Sequence, residues 1–334
     1  MANVIIGIHG LGNKPPKRIL QKWWELSMME GLNTYKYNPV LPKFELVYWA
    51  DILYDTPLSI TEKDVNSPNY LHEKYAEASN YFLDEDHETR KKVVDYLSQQ
   101  LNQVFLNDDL SLNYSYIADT IVHRYFKDLE TYYTENLNKE NPQINKAKEL
   151  IRERLLTVLN KYKTDSVMLI SHSMGSIVAF DVLKFHTPQV NVNSFITLGS
   201  PLGLPVVLSK IAAEQKELHI VGNQMATPPG VLKSWHNFAD ILDKVAFNFK
   251  LADDFSENQN NIMPVDFLVV NNYEIGGERN PHKSFGYLRT PEFSEVLNEF
   301  ILSEQLTFYQ KLVRNVKSFF KRIVYFPLRN KVPE

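Results

Sequence analysis

No cysteine occurs among the 334 residues, which excludes a disulfide framework and a thiol nucleophile. The chain also lacks an excess of basic charge. Thirty-six Lys and Arg stand against 40 Asp and Glu, a net charge of −4, so nothing points to a nucleic-acid partner. No run approaches the ~18 apolar residues of a membrane span. Met1-Ala2-Asn3 leads directly into an apolar stretch, without the basic region and cleavage site of a secretion signal, so the expected location is the cytoplasm. H-E-x-x-H is absent, and His72 and His123 do not share a ligand spacing, so no metal is expected. A phosphate-binding G-x-x-x-x-G-K-[ST] loop is missing as well. Gly10 and Gly12 do not complete G-x-G-x-x-G, because position 15 is proline. No cofactor is expected.

What remains is an ordinary globular composition, 44 % apolar and 23 % charged, in a chain long enough for one elaborated domain or two small ones. Short apolar runs at Val4–Ile8, Phe44–Trp49, Val167–Ile170, Phe195–Leu198 and Val265–Val270 read as buried strands. Helical spacing appears over Arg18–Gly31 and over Ile144–Tyr162, where Ala147, Leu150, Ile151, Leu155, Val158 and Leu159 recur on one side. A buried helix follows Ser173. Alternating helix and short apolar strand predicts an α/β fold, a mostly parallel sheet with helices on both faces. Residues 1–51 and 142–310 form the expected core, interrupted by an insertion over 52–141. The insertion opens with a polar, proline-containing stretch and then shows helical patterns at about 86–106 and 114–134.

The densest signal is Ser171-His172-Ser173-Met174-Gly175, set between the Val167–Ile170 strand and the helix after it. Small residues two before and two after Ser173 suit a tight, strained strand-to-helix turn that lifts its hydroxyl to a helix N-terminus. A second signal is the strand Val4–Ile8 running into His9-Gly10-Leu11-Gly12, where glycines allow close approach of the main chain to a ligand. A third is Thr197-Leu198-Gly199-Ser200-Pro201 at the end of the next strand.

Together these motifs resemble the α/β-hydrolase family, and among its members the lipases and esterases. Ser171 stands where the elbow motif G-x-S-x-G has its first glycine. The resemblance implies an α/β-hydrolase fold, with residues 52–141 as a helical cap-like insertion or lid. It implies that Ser173 is the nucleophile. It implies an oxyanion hole from the N–H of Met174 and that of Leu11, with Gly10 as the alternative to Leu11, and makes His9 a loop-orienting residue. The family's chain order is Ser, then acid, then His. His9, His72, His87, His123 and His172 come too early for the base. Ser234–Val245 reads as a strand followed by a loop carrying carboxylates, and with the acid placed there only His282 remains downstream. Asp243, which begins an Asp-x-Val element, is the preferred acid, and Asp240 the alternative. Asp266, inside a strand, is a weaker candidate.

The expected function is cleavage of a carboxylic ester through an acyl-enzyme, with a small-molecule or lipid-like substrate. A thioesterase or acyltransferase would use the same residues, and a non-catalytic binding protein could share the fold. Residues 311–334 suggest a basic amphipathic helix. Leu312, Val313, Val316, Phe319, Phe320, Ile323 and Val324 form a stripe, and Lys311, Arg314, Lys317, Lys321 and Arg322 fill the other positions. Such a helix suits either packing on the domain or a second subunit, or peripheral contact with an anionic membrane through 311–326.

Overall fold

The computed structural model describes residues 2–37, 39–80, 92, 132, 147–186, 190–218, 225–246 and 248–303. The helical patterns at 86–106 and 114–134, apart from residues 92 and 132, and the basic stripe at 311–326 lie outside these residues.

Six parallel strands form the sheet: β1 (Asn3–Ile8), β2 (Lys43–Val47), β3 (Ser166–His172), β4 (Val192–Leu198), β5 (Val231–Ala239) and β6 (Pro264–Leu268). Their order across the sheet is β2-β1-β3-β4-β5-β6. Because side chains alternate between faces, each central strand feeds two cores. Val4, Ile6, Ile8, Val167 and Leu169 point into one core. Helices α3 (Ala147–Lys161), α4 (Met174–Phe185) and α5 (Pro205–Glu217) cover it, together with Leu251 of the single-turn α6 (Leu251–Asp254). Ile5, Met168, Ile170, Ile196 and Leu198 point into the other. There they meet α1 (Lys17–Thr34), the short α7 (Ser284–Tyr287) and α8 (Pro291–Leu302). Burial on both faces explains why these strands read as continuous apolar runs rather than alternating ones. Met174 through Leu183 of α4 are all buried, which is why this helix is apolar around most of its circumference.

The second strand ends earlier than its apolar run. At Trp49 the chain turns into the single-turn helix α2 (Ala50–Leu53), because the Trp49 N–H donates to His9 Nε2 (3.0 Å) and its indole N–H to the His9 carbonyl (2.9 Å). Asp51 therefore lies in α2, paired with Arg154. The outer edge of β2 is satisfied by a side chain. Gln21 of α1 donates to Phe44 O and accepts from Leu46 N–H, both at 3.2 Å, which blunts the edge against pairing with another strand.

Between β6 and α7 comes a two-residue hairpin, β7 (Glu274–Ile275) and β8 (Glu278–Arg279). Gly276 and Gly277 form its turn with φ of 62° and 83°, the left-handed conformations such a turn demands. The described start of the insertion, residues 54–80, is an irregular strap held by side chains. Tyr75 and the Ala78 N–H bond to Glu30, at 2.8 and 2.7 Å. The Tyr273 hydroxyl donates to Lys74 O (2.7 Å), and Arg289 donates to Ala76 O (2.7 Å).

Candidate active site

The C-terminal ends of β1, β3, β4 and β5 meet at one edge of the sheet, where open α/β sheets bind ligands. Ser173 follows β3 directly and precedes the first residue of α4. It has φ 54° and ψ −131°, a conformation a non-glycine residue adopts only when its surroundings impose it. The surroundings here are specific. The Ser173 N–H donates to Leu198 O (3.0 Å), and its carbonyl accepts the Ser176 hydroxyl (2.6 Å), which in turn lies 2.7 Å from Ser200 Oγ. Gly175 presses against the end of β1: a Cβ there would lie 2.7 Å from the carbonyl oxygens of both Ile8 and His9. Ser171, where the motif has glycine, is buried, and its hydroxyl donates to Ile196 O (2.8 Å). The extra side chain is thus absorbed by the neighbouring strand.

The loop after β1 is in contact with this turn. A Cβ on Gly10 would sit 2.5 Å from Ser173 Cβ. His9 is buried and stacks on Trp49, with ring centroids 4.7 Å apart. Its Nε2 accepts from Trp49 N–H, so Nδ1 carries the proton and donates to Gly10 O (2.8 Å). Burial, with help from Lys14, holds its pKa well below the usual imidazole value and keeps it neutral. His9 therefore braces the loop rather than exchanging protons. Lys14 folds back to donate to the carbonyls of Leu11 and of Gly12 (2.9 Å). Met174 opens α4, so its N–H is among those that the helix leaves without an internal partner.

Two loops bring the remaining groups. His282, in the loop after the β7–β8 hairpin, presents Nε2 3.0 Å from Ser173 Oγ. Its Nδ1 lies 2.8 Å from Asp243 Oδ2. Asp243 has no exposed side-chain surface, whereas the His282 side chain is 28 % exposed. Asp240 points elsewhere: its carboxylate accepts from Leu242 N–H (2.7 Å), Asn271 N–H (2.7 Å) and Arg279 (2.9 Å). It thereby ties the Asp243 loop to the segment that leads to His282. Asp266 accepts instead from Asn237 (2.9 Å), Leu251 N–H (3.1 Å) and Ala252 N–H (3.0 Å). Burial pushes its carboxyl up to about 6.

Several contacts at the site carry no sequence motif. His172, adjacent to Ser173, places Nε2 2.7 Å from the His282 carbonyl. Burial, followed by the charge of His282, keeps its pKa far below the usual imidazole value, so the neutral ring donates there. Asn280 Oδ1 accepts His282 N–H (3.0 Å), and Asn280 in turn donates to Glu73 of the strap (2.5 Å). Glu73 also pairs with Lys283 at 2.7 Å. Gly199, φ 54°, leaves room for the pair: a Cβ there would lie 2.7 Å from Asp243 Oδ2 and 3.1 Å from His282 Nδ1. Of the other early histidines, His72 packs edge-on against Tyr70, and His87 and His123 lie outside the described residues. Among the described residues no cluster of His, Asp and Glu has the geometry to hold a metal ion.

Residues 124–226 match the family model described as PGAP1-like alpha/beta domain. The fold is that of the α/β hydrolases. The matched stretch includes α3, the Ser173 turn, β4 and α5. It stops before Asp243 and His282 and begins after the His9–Gly12 loop. No curated protein matches the chain.

Proposed function

We propose that the chain is a serine hydrolase that cleaves carboxylic esters through an acyl-enzyme. The observation that carries this reading is the unbroken chain from Ser173 Oγ through both ring nitrogens of His282 to Asp243, at 3.0 and 2.8 Å, at a strained turn. In this reading Ser173 Oγ attacks the acyl carbonyl as His282 Nε2 takes its proton. The new C–O bond gives a tetrahedral oxyanion, which the N–H groups of Met174 and of Leu11 would stabilise, each about 3–4 kcal/mol in the transition state. Collapse expels the alcohol, which receives the proton from His282. Water, activated by the same imidazole, then releases the acid and restores Ser173. Asp243 holds Nδ1–H and balances the transient imidazolium.

The test is turnover of p-nitrophenyl esters of rising chain length, measured beside acyl-CoA thioesters, for the wild type and His282→Ala. Ester turnover that disappears in a folded His282→Ala protein is the expected result. Turnover equal in both proteins, or a response to thioesters alone, would overturn the ester assignment.

A further inference from the structure

Asp243 receives more hydrogen bonds than holding an imidazole requires. Its Oδ1 accepts the N–H groups of Val245 (2.9 Å) and Ala246 (3.4 Å). Its Oδ2, the oxygen that faces His282, also accepts the phenol of Tyr287 at 2.7 Å. Tyr287 is fully buried in α7, five residues beyond His282. The direction of its proton is fixed from the other side, because the phenol oxygen accepts the Asp240 N–H (2.9 Å). A carboxylate cannot donate, so the phenol must. Burial, and then the charge of Asp243, push ionisation of Tyr287 well above the ordinary tyrosine range, so this donor persists across the working pH range.

We propose that Tyr287 is a positioning residue acting through Asp243: by sharing the oxygen that holds His282, it fixes the carboxylate's direction and limits how strongly that carboxylate draws the imidazole proton. The inference rests on the hydrolase reading and adds a residue to it. A donor on an anionic oxygen lowers that oxygen's basicity. With the phenol removed, more of the charge on Oδ2 faces Nδ1, and protonation of the imidazole becomes easier. The base is then lost at a higher pH than before. Other charged or titratable groups face the assembly. Asp240 is paired with Arg279, Lys283 with Glu73, Lys14 lies over the Leu11 carbonyl, and His172 is held neutral. Of these groups, Asp240 gives its N–H to the phenol and the His172 ring lies 6.4 Å from that of Tyr287; fluorotyrosine keeps both contacts, so its shift reports the phenol's donation to Asp243.

The experiment is the pH profile of kcat/KM for p-nitrophenyl ester hydrolysis in three proteins: wild type, Tyr287→Phe, and protein with 3-fluorotyrosine in place of Tyr287. The acidic limb should move to higher pH in Tyr287→Phe, by about half a pH unit or more. Fluorotyrosine, a stronger donor, should move it to lower pH. In Tyr287→Phe kcat should fall while KM holds. A limb that stays in place in both variants, whatever happens to kcat or the melting temperature, means that the phenol only packs and overturns the proposal. A shift to lower pH in Tyr287→Phe overturns it too. If Tyr287→Phe does not fold, the fluorotyrosine protein decides alone, and an unmoved limb is again contrary. Failure of the hydrolase reading looks different, because the wild type itself would then turn over no ester and the inference would fall with it.

Discussion

Two carboxylates, Asp181 and Asp243, are equally hidden from solvent and keep different company. Asp181 of α4 accepts from the Tyr132 hydroxyl and from Arg152 of α3, both at 2.5 Å, and Arg152 also grips Glu214 of α5 at 2.6 Å. Asp243 accepts from two backbone amides, a phenol and an imidazole. The difference lies in what the partner can do with its proton. A guanidinium never releases one, so the Arg152 network is closed and serves to bind three helices and Tyr132 together. An imidazole exchanges its proton readily, and the other ring nitrogen of His282 reaches Ser173. Burial and hydrogen bonding to a side chain are common to both places. Only one of them has a path to a serine hydroxyl at a strained turn.

Substitutions should separate the two. The largest expected effect is on chemistry: Asp243→Asn should lower kcat for ester hydrolysis by about 10⁴-fold, with the far-ultraviolet circular dichroism unchanged. Arg152→Ala should do the reverse. It leaves Asp181 buried without its cation, so urea unfolding should report a loss of about 3–5 kcal/mol, while kcat/KM per folded molecule holds. If Arg152→Ala abolished activity in a stable protein, or Asp243→Asn melted the fold and left the remaining folded molecules active, the division of labour would be wrong.

A smaller effect sharpens the same contrast. Gly199→Ala should lower kcat about tenfold or more, because its Cβ would intrude between Asp243 and His282 and a displacement of about 1 Å is costly at a reacting centre. Its backbone penalty, with φ at 54°, should be about 1–2 kcal/mol. Alanine tolerated there with full activity would mean that the loop has slack.

The smallest effect belongs to Asp266, which accepts from Asn237 and the N–H groups of Leu251 and Ala252 and is pushed up to about 6 by burial. Its folded value lies above its unfolded one, so the folded state holds a proton that the unfolded state has released. Stability should therefore decline as pH rises from about 4 to about 6 through this group. Asp266→Asn should flatten that part of the stability profile, and an unaltered slope would remove Asp266 as its source.

Much of this arrangement is legible in the sequence, for physical reasons that differ by element. The central strands announce themselves because a parallel sheet covered on both faces needs continuous apolar runs, as at Val4–Ile8 and Val167–Ile170. The Ser173 turn is visible because strain and close approach restrict residue size around it. His282 emerges from the α/β-hydrolase chain order once the acid is placed within Ser234–Val245. The choice between Asp240 and Asp243 cannot be read that way, since two carboxylates three residues apart share one loop, and their partners, Arg279 and His282, are distant in sequence. Tyr287 and Glu73 leave no signal either. Each acts through contacts made by tertiary packing, and a lone tyrosine or glutamate has no periodicity to betray it. The strap of residues 54–80 is illegible for the same reason, being fastened by side chains to carbonyls and carboxylates rather than by a repeating pattern.

The most direct test of the central claim is covalent. Wild-type protein and Ser173→Ala are treated with a fluorophosphonate probe, and the modified residue is located by mass spectrometry. One adduct, on Ser173, is expected in the wild type and none in Ser173→Ala. Labelling at equal rates in the two proteins, or none in a folded wild type, would contradict that claim.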